Sequence, residues 1–260
     1  MNAAPIAPPV PPWLSPSETL TLGCHEVHVW RATLDQSPSQ IQSFLLNLAA
    51  DERARAERYY FENDRKHFIV ARGVLRAILG SYLNRAPECV SFCYNSHGKP
   101  ALVGEPDGDG IRFNVSHSHG VALYAVTRGR EVGIDLERIR DDVAVVEIAQ
   151  RFLSSPEVAM LLSLPTEAQR HAFFRCWTRK EAYIKARGEG LSLLLDQFDL
   201  SLASGEPDAI LGTQRDPSET SRWSLQELTP APGYVAALAV EAHGWRLTCW
   251  QWPDSRQQSV

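Results

Sequence analysis

Two acidic side chains lie two residues apart in a segment that alternates as a β-strand does. In Val132–Glu137, apolar residues alternate with Gly133, Asp135 and Glu137. Because side chains alternate across a strand, the two carboxylates should share one face, roughly 6.5–7 Å apart at Cα. Such a pair can bind one hard cation, and Gly133 beside it should leave room for a ligand. A solvated strand face is the alternative for an isolated pair.

A third carboxylate lies on a predicted helix next to a lysine. Phe173–Ala186 has helical periodicity, with an apolar stripe that includes Trp177 and Ile184. Glu181 falls at the edge of this stripe, and Lys185 is its i,i+4 neighbour. A half-buried carboxylate is costly without a cation or a proton, so this position is a candidate for a functional site. An exposed ion pair is the alternative.

Basic residues form one dense cluster on two predicted helices, Ser39–Arg58 and Asp64–Leu83, the second capped by Asn63 or Asp64. The cluster comprises Arg53, Arg55, Arg58, Arg65, Lys66, His67, Arg72 and Arg76. It could bind a phosphate group. A solvated helix face is the alternative for most of it, and an ion pair is the alternative for Arg72.

The other elements predict an α+β protein with two halves of similar pattern. We predict a disordered, proline-rich leader over residues 1–18, an N-terminal subdomain over 19–128 and a C-terminal subdomain over 129–260. Further predicted helices are Val143–Phe152, Pro156–Leu162 and Thr166–Ala186. Predicted strands are His25–Arg31, Ile111–Ser116, Val121–Thr127, Val132–Ile139, Leu191–Leu202, Trp223–Leu228, Tyr234–Val240 and Trp245–Trp252.

Composition narrows the class of protein. The 260 residues carry a formal net charge of −5, which argues against generic nucleic-acid binding. The apolar runs are too short to span a bilayer, and the N-terminus lacks the features of a signal peptide. Five widely spaced cysteines suit reduced thiols, so we expect a cytoplasmic protein.

Several motifs occur in a characteristic order. They are KP at Lys99–Pro100, FNVSH at Phe113–His117, GIDLE at Gly133–Glu137, W-x-x-K-E-A-x-x-K at Trp177–Lys185 and GEGL at Gly188–Leu191. Their order and separation resemble those of the 4′-phosphopantetheinyl transferases of the larger, monomeric, surfactin-synthetase-activating (Sfp-like) type. The resemblance covers about Arg55 to Leu194.

The resemblance implies roles for the acidic residues. Asp135, Glu137 and Glu181 would ligate Mg²⁺, with Mn²⁺ as a second candidate ion. Glu181 would also be the base, acting directly or through a metal-bound water. Lys185 would assist the leaving phosphate.

The resemblance also implies a coenzyme A site. Ser116, His117 and Lys185 would contact its phosphates, and Lys99 would lie along the nucleotide. Arg55 and Arg72 are the candidates for its 3′-phosphate.

The implied reaction is transfer of 4′-phosphopantetheine from coenzyme A to a serine of an apo acyl- or peptidyl-carrier protein, with release of adenosine 3′,5′-bisphosphate. This is holo-[acyl-carrier-protein] synthase activity. The carrier would bind in trans, because the chain has no carrier serine motif of its own. The implied fold has two similar α/β subdomains related by a pseudo-twofold axis, with the active site at their interface.

Two other functions compete with this one. A non-catalytic protein of the same fold could bind coenzyme A or a carrier, but it would not need Asp135, Glu137, Glu181 and Lys185 together. Another Mg²⁺-dependent phosphotransferase lacks support, because the chain has neither a P-loop nor a kinase signature.

Overall fold

The computed structural model describes residues 11–16, 20–104, 109–190, 195–200, 210–213 and 219–253. Its helices are α1 (Pro38–Asn47), α2 (Ala50–Ala56), α3 (Glu62–Leu83), α4 (Val145–Phe152), α5 (Ser155–Ser163), α6 (Thr166–Arg187) and α7 (Glu219–Arg222). Its strands are β1 (Trp13–Leu14), β2 (Glu26–Thr33), β3 (Phe92–Tyr94), β4 (Pro100–Leu102), β5 (Ile111–Ser118), β6 (Val121–Arg128), β7 (Val132–Arg138), β8 (Phe198–Leu200), β9 (Ile210–Thr213), β10 (Trp223–Leu228), β11 (Tyr234–Glu241) and β12 (Arg246–Gln251). The predicted α+β class is confirmed.

Two sheets and two long helices form the body of the molecule. The larger sheet has the strand order β1-β12-β2-β6-β5, and the smaller has the order β10-β11-β7. Helix α3 packs on the larger sheet, and α6 packs on the smaller one. The inner faces of the two sheets share a core in which Val29 of β2 meets the apolar face of β7. The carboxylate strand β7 therefore lies at a sheet edge between the two halves.

The predicted boundary between the halves is wrong at the C-terminus. Strand β12 pairs in parallel with β2, so it belongs to the larger sheet with the N-terminal strands. This pairing places Cys249 in the core that the two sheets share, where it is fully buried. The two sheets consequently differ in size.

The leader prediction also needs correction. Trp13 and Leu14 lie inside the segment predicted to be disordered, yet they pair in parallel with β12. Without β1, strand β12 would form the edge of the larger sheet, and its backbone N–H and C=O groups on that side would be unpaired. The Arg31 guanidinium also holds β1, because it lies 4.7 Å from the Trp13 ring centroid, within the range of a cation–π interaction. Residues 1–10 and 17–18 lie outside the described part of the chain.

The helices before β3 differ from prediction in two ways. The single helix predicted over Ser39–Arg58 is broken at Leu48, which is buried and extended. Glu52 restarts the helix by accepting the Ala49 N–H at 2.8 Å. Phe61, not Asn63 or Asp64, is the N-cap of α3.

Other boundaries agree within two residues. The exception is the strand predicted over Leu191–Leu202. Residues 195–197 form a 3₁₀ turn before β8, and residues 191–194 and 201–202 are not among those described. None of the described helices has the length and apolar character needed to cross a bilayer.

Candidate functional site

The site begins with a close approach of α6 to β7. A Cβ atom on Gly133 would lie 2.0 Å from the Ala182 carbonyl oxygen and 2.3 Å from the Ala186 nitrogen. Gly133 therefore makes room for the helix, and the prediction that it makes room for a ligand is wrong. The same contact brings Glu181 and Lys185 of the helix beside the carboxylates of the strand.

Asp135 is the centre of the site. The alternation predicted for β7 is confirmed, because Val132, Ile134 and Leu136 all pack into the core shared by the two sheets. Asp135 on the other face is only 4% exposed, so this face is not solvated. Lys185 Nζ donates to its Oδ1 at 2.6 Å, and Ser116 Oγ donates to the same atom at 3.0 Å.

Glu137 and Glu181 complete a group of three coupled carboxylates. Burial raises the pKa of Glu137, and the charge of Asp135 raises it further. Burial is also the largest cause of the raised pKa of Glu181, followed by the charge of Asp135. Lys185 opposes both shifts. The charged forms of the two glutamates are therefore disfavoured in the protein without a ligand.

The residues fit a cation, although they do not form a preformed cage. Across the described residues, no group of three or more Asp, Glu, His or Cys side chains is arranged so that it could hold a metal ion as it stands. Asp135 Oδ2, however, is buried and has no hydrogen-bond partner. A buried acceptor of this kind is costly unless a ligand satisfies it. Oxygen donors are the ligands that Mg²⁺ prefers.

A cavity of about 320 Å³ opens beside these residues. Lys99, Glu181 and Lys185 line it together with Gly188 and Gly190, and we call it the lysine cavity. Lys99 Nζ donates to Glu131 at 2.7 Å and to the Ala186 carbonyl at 2.8 Å. Three of the predicted site residues thus meet in one cavity that could hold an anionic ligand.

Ser116 and His117 face opposite sides of β5. Ser116 is buried, and its Oγ also accepts the Lys185 Nζ at 3.1 Å. His117 lines a second cavity of about 430 Å³, which also contains His67 and His119. We call this the histidine cavity. The two residues cannot contact the same atom of a ligand from the same side.

The two arginine candidates differ. Arg55 is exposed, stacks on Phe68 at 5.2 Å and contributes to the lowered pKa of His117, after burial, Lys185 and His67. Arg72 is ion-paired with buried Glu52, its guanidinium lying 3.9 Å from the Phe92 ring centroid. The structure thus favours the ion-pair alternative for Arg72 and keeps Arg55 near the site.

Sequence reasoning missed Asn114 and Ser118. Both lie on the same face of β5 as Ser116, and all three side chains contact β7. The available signal was the N-x-S-x-S alternation, which places three polar residues on one face of an otherwise buried strand.

Comparison with known proteins supports the resemblance. The model of the 4′-phosphopantetheinyl transferase superfamily matches residues 131–239, and the model of a 4′-phosphopantetheinyl transferase N-terminal region matches residues 30–128.

Individual relatives extend the match over the chain. 4′-Phosphopantetheinyl transferase HetI of Nostoc sp. is 43% identical over 92% of this chain and 98% of its own. Psf-1 of Bacillus pumilus is 33% identical over 81% of this chain and 88% of its own. Sfp of Bacillus subtilis is 27% identical over 78% of this chain and 86% of its own. The chain therefore belongs to the 4′-phosphopantetheinyl transferase superfamily, as a member of the Sfp-like type.

Proposed function

We propose that the protein transfers the 4′-phosphopantetheine group of coenzyme A to a serine hydroxyl of an apo acyl- or peptidyl-carrier protein in trans. The serine oxygen forms a bond to the β-phosphorus, and the bond to the leaving phosphate breaks to release adenosine 3′,5′-bisphosphate. The observation that carries the proposal is the group of coupled carboxylates with Lys185 beside the lysine cavity. Phosphoryl transfer needs alignment and charge neutralisation, which these residues can supply.

Asp135, Glu137 and Glu181 would hold a Mg²⁺ ion, or Mn²⁺ in its place. When bound, the ion supplies positive charge against the pyrophosphate oxygens. Support comes from the unpartnered Asp135 Oδ2 and from the raised pKa values of the two glutamates, which a cation would lower.

Glu181 is proposed as the base. Its side chain lines the lysine cavity beside Lys185, and a carboxylate there can accept a proton directly or through a water. It would take the proton of the carrier serine. Lys185 would stabilise the charge that develops on the leaving phosphate, because its Nζ already lies at the carboxylate centre.

Coenzyme A would occupy the lysine cavity, with Lys99 along the nucleotide. Lys99 is held by Glu131 and by the Ala186 carbonyl, so its position is fixed before the ligand arrives. Ser116 and Lys185 would contact its phosphates, and His117 with Arg55 would do so from the histidine cavity. Arg72 is not retained in this proposal, because its guanidinium is held between buried Glu52 and the Phe92 ring.

We further propose that the enzyme acts as a cytoplasmic monomer. Both cavities and the residues proposed around them come from one chain. All five cysteines are free, which suits a reducing compartment.

The decisive assay combines the protein, coenzyme A, Mg²⁺ and an apo-carrier, with intact mass spectrometry of the carrier. We expect the mass to rise by one phosphopantetheine group, and we expect no rise for a carrier whose acceptor serine is replaced by alanine. No rise with any of several carriers, while coenzyme A still binds in calorimetry, would favour the non-catalytic binding protein.

A further inference from the structure

The two sheets meet along β5 and β7 through side chains. Asn114 Oδ1 accepts the Ile134 N–H at 2.9 Å. Ser116 Oγ accepts the Leu136 N–H at 3.2 Å, and Ser118 Oγ accepts the Arg138 N–H at 3.2 Å. The offset of 20 residues is constant, so three alternate side chains of one strand bind three alternate N–H groups of the other. We call these three contacts the serine ladder.

Two members of the serine ladder also hold carboxylates. Ser116 Oγ donates to Asp135 at 3.0 Å, and Ser118 Oγ donates to Glu137 at 3.1 Å. Each hydroxyl therefore accepts from one β7 backbone N–H and donates to the carboxylate of the preceding residue. Asn114 accepts from the backbone in the same way but is not hydrogen-bonded to a carboxylate among the described residues.

The direction of the Ser118 hydrogen bonds follows from its chemistry. A hydroxyl has one proton to donate and two lone pairs that accept. His119 Nδ1 also lies 3.1 Å from Ser118 Oγ, but the Glu137 carboxylate is the stronger acceptor because charge-assisted bonds are stronger. The proton is therefore directed to Glu137.

We infer that Ser118 is a positioning residue for Glu137. It fixes the carboxylate rotamer relative to the edge of β7, so that Glu137 need not be ordered when a cation binds. Ser118 is buried, which shields the contact from water. This inference rests on the proposed function in one respect, namely that Glu137 is a metal ligand. Groups that orient metal ligands typically contribute 10–100-fold to metal affinity.

The test measures Mg²⁺ binding directly, by calorimetry on the carrier-free protein. We expect Ser118→Ala to weaken Mg²⁺ binding about 10-fold. In the transfer assay, the Mg²⁺ concentration for half-maximal rate should rise by the same factor. The KM for coenzyme A and the rate at saturating Mg²⁺ should change by less than about twofold, because Glu137 is the one proposed site residue to which Ser118 is hydrogen-bonded among the described residues.

Two conservative variants separate the loss of the Ser118 hydroxyl from a change in side-chain volume. Ser118→Thr retains the hydroxyl and should restore most of the Mg²⁺ affinity. If Ser118→Ala does not fold, Ser118→Cys keeps the volume but donates only weakly, and it should show the same loss.

Asn114→Ala is the matched control, since it removes a serine-ladder contact that does not reach a carboxylate. It should lower the denaturation midpoint about as much as Ser118→Ala while leaving Mg²⁺ affinity unchanged. Unchanged Mg²⁺ affinity in Ser118→Ala, or an equal loss in both variants, would overturn the inference. If the wild-type protein transfers the group but binds no Mg²⁺, the assignment of Glu137 as a metal ligand is wrong, and the role inferred for Ser118 is wrong with it.

Discussion

Helix α6 contributes to two carboxylate–lysine pairs whose surroundings differ. Lys180 Nζ lies 2.7 Å from Glu157 and also donates to the carbonyls of Leu195 and Phe198. Glu157 in turn accepts the Leu200 N–H at 3.1 Å. Both side chains are almost completely buried. Every strong polar group in this pair has a partner inside the protein.

The second pair is incomplete. Lys185 Nζ lies 2.6 Å from Asp135 Oδ1, but Asp135 Oδ2 is buried without a partner. Lys185 is 29% exposed, and two more carboxylates, Glu137 and Glu181, have raised pKa values nearby.

The difference distinguishes an ion pair whose polar groups are all partnered within the protein from one that we propose binds a ligand. A buried ion pair that is fully hydrogen-bonded stabilises only its own arrangement, and losing one partner is costly. A buried acceptor left without a partner is tolerated where a ligand is meant to supply it. Two lysines five residues apart on one helix thus have different surroundings, and we propose a ligand-binding role for Lys185 alone.

The largest expected effect is on activity, from Asp135→Ala. This variant removes the central carboxylate, and we expect the transfer rate to fall about 10³-fold or more, because a bound cation contributes several kcal/mol to such reactions. The free energy of unfolding should change by less than about 1 kcal/mol, since the loss also relieves repulsion on Glu137 and Glu181. Carrier mass spectrometry and urea denaturation measure the two effects.

Asp141→Ala is the control for this prediction. Asp141 lies in the loop that follows β7 and is fully exposed. Its carboxylate pairs with Arg170 at 3.6 Å and does not contact the site. Its loss should leave the transfer rate within twofold of wild type. Full activity in Asp135→Ala would show that the metal site has been placed wrongly.

The next largest effect is on stability, from Lys180→Met. The methionine fills a similar volume, but it leaves the buried Glu157 carboxylate without its lysine partner. It also leaves the carbonyls of Leu195 and Phe198 without the hydrogen bonds that Lys180 donates. We expect the free energy of unfolding to fall by about 3–5 kcal/mol, with no recovery when Mg²⁺ is added. Urea denaturation with and without Mg²⁺ measures this.

Lys185→Met tests the other pair with the same substitution. The loss of stability should be smaller, about 1–2 kcal/mol, and Mg²⁺ should restore it by neutralising Asp135. The transfer rate should fall about 10–10²-fold with a smaller change in the KM for coenzyme A. If Lys180→Met and Lys185→Met lost equal stability and Mg²⁺ restored neither, the two pairs would not differ in ligand binding, and the comparison would be wrong.

Local periodicity was sufficient to predict the elements that carry the site. The alternation of β7 and the helical spacing of α6 placed Asp135, Glu137, Glu181 and Lys185 correctly on their elements. These patterns depend only on neighbours within a few residues, which the sequence displays directly.

Features that depend on distant partners could not be predicted. The role of Gly133 depends on α6, whose contacting residues lie about 50 positions further along the chain. The pairing of Arg72 with Glu52 and the parallel pairing of β12 with β2 are also non-local. The N-x-S-x-S pattern indicates a polar face on β5, but it does not indicate that this face meets the edge strand β7.

The last prediction concerns the sign of a stability change and uses Glu→Gln substitutions in the metal-free protein. The pKa of Glu181 is raised above its ordinary value of 4.5, so at pH 7 the folded state holds its charged form at a cost. Glu181→Gln removes that charge and should raise the free energy of unfolding by about 1 kcal/mol. Glu157→Gln removes a charge that Lys180 needs and should lower it by about 2–3 kcal/mol.

The pH dependence provides a second test of the sign. Wild-type Glu181 takes up its proton more readily in the folded state than in the unfolded state, so its cost is full above the raised pKa and disappears below about 4.5. The advantage of Glu181→Gln in metal-free buffer should therefore shrink as the pH falls from 7 towards 4.5, and saturating Mg²⁺ at pH 7 should reverse it. A stability gain that persists unchanged below pH 4.5 would mean that the glutamine acts through packing, and the contrast with Glu157 would then not be electrostatic.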